Sequence, residues 1–154
     1  MRHLAFITAL LWLSGLSYAM TDPAPVEITV VSVQASNKGT PHKTFSKGLE
    51  KVKSAIASLS YDTFEKIGSS NAVIPFGEKT TFYINQRYSL VVEPTSIDDQ
   101  GRIRLKTQIL MQSKKDSDPV KALDTVLVMA PGKHLNLGGL KLTDGDLIVV
   151  MKVK

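Results

Sequence analysis

The chain contains no cysteine in 154 residues, and this one absence removes several functions together. Without a thiol there is no disulfide, no thiol nucleophile, no redox pair, no cysteine-based metal site and no lipidation cysteine. Long apolar runs are missing after residue 19, whereas a helix crossing a bilayer core of ~30 Å needs about 20 such residues. Histidine is scarce too: past the N-terminal stretch only His42 and His134 remain, each beside turn residues and a lysine. No serine sits in a Gly-x-Ser-x-Gly elbow, so a nucleophile and its base would have to be assembled by tertiary folding. Gly132-Lys133 and Gly138-Gly139 fit neither nucleotide fingerprint. Asp98-Asp99, Asp116/Asp118 and Asp144/Asp146 stand at turns, where aspartate is favoured on conformational grounds, and lack the ligand spacing of a calcium loop. The expectation is a protein that is not an enzyme and holds neither cofactor nor metal. A hydrolase built from His42 or His134 with loop carboxylates is the least favoured class.

What is present begins at the N-terminus. Arg2 precedes an apolar run from Leu4 to Leu13 that only Thr8 interrupts, and Ser17-Tyr18-Ala19 supplies small residues where a signal peptidase reads them. The order predicts a Sec-type signal peptide over 1–19, cleaved after Ala19, and a periplasmic or secreted product with no transmembrane anchor. Removing it takes away Arg2 alone among the charged residues, so the formal charge falls from +5 to +4. Such an excess suits ordinary solubility and also favours anionic partners. The remaining 135 residues, from Met20, suit one domain with its own core.

A proline-bearing segment over 20–25 reads as a flexible lead-in to a single domain over 26–154. Val26 to Val33 is rich in β-branched residues and predicts a strand buried on both faces. Ser36 to Pro41 is a loop by its turn residues. Phe45, Leu49, Val52, Ile56 and Leu59 recur at offsets of 4, 3, 4 and 3, within an arc of about 80° at helical periodicity. They predict an amphipathic helix over 45–59, capped by Thr44 and weakened at Gly48 by ~1 kcal/mol, whose stripe covers a sheet face. Thereafter the period is two. Expected strands are Tyr61 to Ile67, a short edge piece Ala72 to Phe76, a hairpin of Thr80 to Ile84 with Tyr88 to Glu93, Ile103 to Met111, Leu123 to Ala130, His134 to Leu137 and Leu147 to Val153. Gly68 to Asn71 reads as a turn and Gly138-Gly139 as a bend or bulge. The fold class is therefore α+β: a mostly antiparallel curved sheet or sandwich of seven to nine strands with one helix packed on it. The strand–helix–strand opening allows one parallel pair, right-handed if formed.

Two groups of basic residues are the candidate binding surface. Lys43, Lys47 and Lys51 lie four apart, opposite the apolar stripe, where like charges repel by a few tenths of a kcal/mol. Arg102 and Arg104 alternate with Ile103 and Leu105, followed by Lys106, on the wet face of one strand. If both groups face the same side they form one positive patch; otherwise they are solvated faces and an edge guard. Neither has the interleaved aromatics that nucleic-acid platforms use for stacking, so no nucleic-acid partner is expected.

The succession Leu90-Val91-Val92-Glu93-Pro94, Asp98-Asp99-Gln100-Gly101-Arg102-Ile103-Arg104-Leu105, Thr125-Val126-Leu127-Val128, Pro131-Gly132-Lys133 and Leu137-Gly138-Gly139-Leu140 resembles the β-rich core of bacterial secretins. Those are the outer-membrane pores of secretion and pilus systems. The resemblance covers residues 88–154, less than half of the chain, and Asp144 to Lys154 departs from it by ending in a charged hairpin. It implies a soluble envelope domain sharing a β-module and working beside such a machine, without pore formation. The leading expectation is an exported, non-enzymatic binding or assembly module of the bacterial cell envelope, contacting an envelope protein through a strand edge or the basic face. The alternative is a receptor for an anionic polymer or lipid head group, held by Lys43, Lys47, Lys51, Arg102 and Arg104.

Overall fold

A computed structural model describes residues 21–113 and 117–154. The signal peptide expected over 1–19 lies outside the described residues. Thr21 to Pro25 is exposed and belongs to no strand. Nine strands follow among the described residues: β1 (Val26–Ser36), β2 (Thr44–Phe45), β3 (Thr63–Ile74), β4 (Thr80–Tyr83), β5 (Tyr88–Ile97), β6 (Ile103–Met111), β7 (Val120–Met129), β8 (His134–Lys141) and β9 (Asp146–Val153). One sheet has the order β2-β3-β1-β9-β8 and the other β4-β5-β6-β7, antiparallel except where β2 runs parallel to β3.

The alternation of apolar and polar residues decides how the sheets meet. Ile28 and Val30 of β1 and Val149 and Met151 of β9 point to one side and pack with Leu90, Leu105 and Ile109 of the second sheet. That shared interior makes the molecule a sandwich. Strand β1 is also buried on its other side, as its β-branched run predicts, because Val31 and Val33 lie under a second core. Residues 45–61 form its cover: Leu49, Val52 and Ile56 are fully sunk against Phe64, Ile148 and Val150, with Phe45 and Leu59 at the margins. The Phe45 ring stacks on Phe64 at 4.9 Å, and Tyr61 meets Phe64 edge-on at 6.3 Å.

The apolar stripe therefore covers a sheet face, but the helix expected over 45–59 does not form. Only Lys53–Ile56 makes a helical turn (α1), and Thr44, the expected cap, belongs to β2. Gly48 breaks the expected helix in its first turn. Its φ is +87°, a left-handed conformation that a right-handed helix cannot pass through. The chain instead descends through successive turns that set the same side chains on the sheet.

Two further expectations change. The turn expected at Gly68 to Asn71 lies within β3, which pairs with β1 over the whole length of both strands. Gly68 marks a bulge: the register shifts between Ser32 and Val33, and the Ser32 hydroxyl donates to the Gly68 carbonyl at 3.3 Å. Pro75 then follows the end of β3, so Ala72 to Phe76 is no separate strand. The first long strand and the one after the cover are antiparallel, and the parallel pair is instead the short β2 with β3. The later elements fall where their patterning puts them, including the β4–β5 hairpin, the alternating β6 and the irregularity at Gly138-Gly139.

Candidate functional site

The five basic residues singled out by sequence do not form one surface. Lys43, Lys47 and Lys51 belong to the connection that covers the outer face of the five-stranded sheet. Arg104 stands on the outer face of the opposite sheet, because its neighbours Ile103 and Leu105 point into the sandwich. Lys43 is engaged within the fold: its ammonium donates to the Ala57 carbonyl at 2.6 Å and to that of Leu59, closing the end of α1. Lys47 is exposed in a turn, and Lys51 is exposed at the edge of the cover.

The basic face of β6 is largely neutralised across the strands. Arg102 pairs with Asp98 at 2.7 Å, and Lys106 lies 3.7 Å from Glu93, which also faces Lys79 at 3.8 Å. On the next strand Asp124 takes Lys121 at 2.9 Å and the Gln108 amide at 3.0 Å. This register was not readable from β6 alone, since Glu93 becomes its neighbour only once β5 pairs with it. Of the three basic residues expected there, Arg104 alone has no carboxylate partner among the described residues.

A different positive site forms at the open end of the cover. On the outer face of the five-stranded sheet, Val33, Val31 and Thr29 succeed one another along β1, and Ile148, Val150 and Lys152 along β9. Val31 is opposite Val150, Thr29 is opposite Lys152, and His134 of β8 is opposite Lys152 on its other side. Both central strands thus change from apolar to polar in the same row, where Lys51 and Val52 end the cover. A groove of about 310 Å³ opens there, floored by Val31, Val52 and Val150 and rimmed by Lys51, Lys152, Lys154 and His134. Lys154 is held by Glu27 at 2.9 Å. Lys51 and Lys152 have no carboxylate partner among the described residues. Burial, and then the Lys152 charge, lower the His134 pKa below its ordinary value.

Several of the remaining groups with catalytic potential are tied into the scaffold. His42 is exposed in the connection after β1, where its carbonyl accepts a bond from the Thr40 hydroxyl. Asp62 accepts the backbone N–H groups of Lys38, Gly39 and Thr40, which lowers its pKa and anchors that loop. Asp98 accepts from Gln100 and Arg102 within the β5–β6 turn. Asp146 takes Lys141 and the Tyr61 hydroxyl, each at 2.6 Å; both bonds hold it ionised, and the Tyr61 pKa is correspondingly raised. Among the described residues no three histidine or acidic side chains converge, and no helix is long and apolar enough to cross a membrane. Comparison with known proteins gives no match to a protein family, to a curated protein or to a solved structure.

Proposed function

We propose that this chain is an exported, non-enzymatic binding or assembly module of the bacterial cell envelope, which takes an extended segment of a partner protein onto the edge of β7. The observation that carries the reading is the contrast among the four sheet edges. Edge strands are normally guarded by shortness, bulges, proline or charge, because their unpaired N–H and C=O groups template further pairing. Strand β2 has two residues, and beyond Phe64 the edge there is β3 itself, guarded by Glu65, Lys66 and the bulge at Gly68; β4 has four residues, and β8 is interrupted at Gly138-Gly139. Strand β7 has ten residues, bulges at Ala122 in its first half and, among the described residues, pairs only with β6. Its second half, Thr125-Val126-Leu127-Val128-Met129, carries no charge, no proline and no glycine.

The partner's chemistry follows from that edge. Val126 and Val128 are 49% and 41% exposed on the outer face, while Leu127 and Met129 point into the sandwich. An added strand with apolar residues at alternate positions would extend the valine row and satisfy the open backbone groups. The order of the leader supports export, and the secretin-like succession over 88–154 supports a place beside a secretion or pilus machine. A non-enzymatic role is supported by the engagement of Asp62, Asp98 and Asp146 in turns and loops, and by a histidine that faces lysines instead of a carboxylate.

The test is site-specific photo-crosslinking in the producing cell. A photoreactive residue at Val126 is expected to give a discrete product with a protein of the envelope fraction, suppressed by Val128→Lys. The same probe at Lys47 should give none. Equal products from both positions, or none from Val126, would refute the edge assignment. N-terminal sequencing of the exported protein should begin at Met20; retention of residues 1–19 would refute cleaved export.

A further inference from the structure

We infer that the groove between the cover and the open ends of β1, β9 and β8 is a binding site for a small amphiphilic anion, a carboxylate or phosphate group carried on a short apolar stem. The site lies on the outer face opposite that of the β7 valines and goes beyond the strand-edge reading.

Three features of the groove converge on this ligand chemistry. Its rim brings together the Lys51 and Lys152 ammonium groups, neither with a carboxylate partner among the described residues, and the Thr29 hydroxyl beside Lys152. Lys154 adds a further cation, balanced by Glu27. Elsewhere on the surface the lysines near strand carboxylates are paired: Lys106 with Glu93, Lys121 with Asp124, Lys141 with Asp146. In the groove two of the three rim lysines lack that compensation and line one cavity, so an anion seated there would meet charge-assisted donors on more than one side. The floor of Val31, Val52 and Val150 is apolar, so a bare inorganic anion would leave it unused. The volume of about 310 Å³ is at the small end of the usual range for ligand pockets of ~300–1,000 Å³.

His134 adds a second signature. It lines the groove with Lys152 of β9, Lys154 just after it and Lys51 of the cover, and Glu27 of β1 is bonded to Lys154. Burial, and then the Lys152 charge, disfavour a proton on the unliganded imidazole. An anion in the groove would reverse the local field and draw a proton onto the ring.

Calorimetry on the purified protein with octanoate, octyl phosphate and inorganic phosphate tests the site, alongside an NMR titration of the His134 ring. The expected result is saturable one-to-one binding of octanoate or octyl phosphate, with inorganic phosphate at least tenfold weaker. The tighter of the two alkyl anions identifies the head group. Lys51→Ala with Lys152→Ala should weaken binding at least tenfold, whereas Lys47→Ala with Lys106→Ala, an equal charge change elsewhere, should stay within twofold. Lys51→Glu alone, at an exposed position, should reproduce the loss should the first pair compromise folding. Octanoate should move the His134 titration to higher pH. Absence of saturable binding, equal losses in the two double variants, inorganic phosphate binding as tightly as the alkyl anions, or a fixed His134 titration would each overturn the assignment. Val126→Lys, which disables the β7 edge, should leave octanoate binding unchanged, so the two sites fail independently.

Discussion

On the outer face of the five-stranded sheet, residues 45–61 seal Val33, Phe64 and Ile148 beneath a second hydrophobic core. Among the described residues the outer face of the four-stranded sheet has no cover and is finished by ion pairs and by the exposed Tyr83, Val126 and Val128. The same strand chemistry serves both. Along β1 and β9 the residues facing outward are apolar until Thr29 and Lys152, so water must be excluded from that side by another layer. Along β6 they are Arg104, Lys106 and Gln108, which need only solvent and carboxylate neighbours. A covered face offers a partner only the margin where its cover stops, while an open face offers its whole edge.

The largest effect should come from loosening the cover. Ile56 is fully buried between α1 and the sheet, and Ile56→Ala should cost about 2–5 kcal/mol, with the spread set by how far the site collapses. Chemical denaturation measures this directly. A loss comparable to a surface substitution would mean that the cover is a loose flap and the two faces are alike. The next test concerns the shape of the cover, and its sign is decisive. In a continuous helix Gly48→Ala would stabilise by ~1 kcal/mol. At φ of +87° the added Cβ should instead destabilise by about 1–2 kcal/mol, with the Lys66 side chain 3.2 Å away also having to move. Stabilisation would restore the helix. The smallest effect belongs to the bare face: Val126→Thr should change stability by no more than ~0.5 kcal/mol, because that side chain packs against no second layer. A cost of several kcal/mol would reveal a covering layer there too.

These contrasts also explain what could be read from the sequence. Period-two alternation located β6, and turn residues located the β4–β5 hairpin and, at Asp144-Gly145, the start of β9, because those signals are local. Gly145 has a φ of +80°, and a Cβ there would lie 2.3 Å from the Ala35 carbonyl oxygen, so its glycine serves both turn and packing. The periodic stripe of 45–59 correctly named the side chains that are buried but not the backbone that carries them. The spacing of 3 and 4 is met here by successive turns around a single helical turn, and the left-handed Gly48 keeps the run from being one helix. Gly68 misled in the opposite direction, since a strand bulge and a turn both favour glycine.

The site was less legible than the fold. Neutralisation of the β6 cations depends on Glu93 and Asp124, which reach them only through cross-strand register. The groove combines Lys51 with Lys152 and His134, about a hundred residues away in sequence. One local signal was available: along β9 the outward positions read Ile148, Val150, Lys152, and that change marks the row where the cover stops.

Strand β7 presents an open backbone edge, whereas the central strands β1 and β9 of the covered sheet are paired on both sides. Residue-resolved hydrogen exchange on the dilute protein tests this contrast most directly, because exchange reports hydrogen bonding and solvent access of individual amides. The account predicts that alternate amides between Leu123 and Met129 exchange as freely as solvent-exposed amides, while those of Val30 to Val33 and Val149 to Met151 are protected to near the global stability. Uniform protection along β7 at low protein concentration would show that its edge is already paired, and would contradict the account.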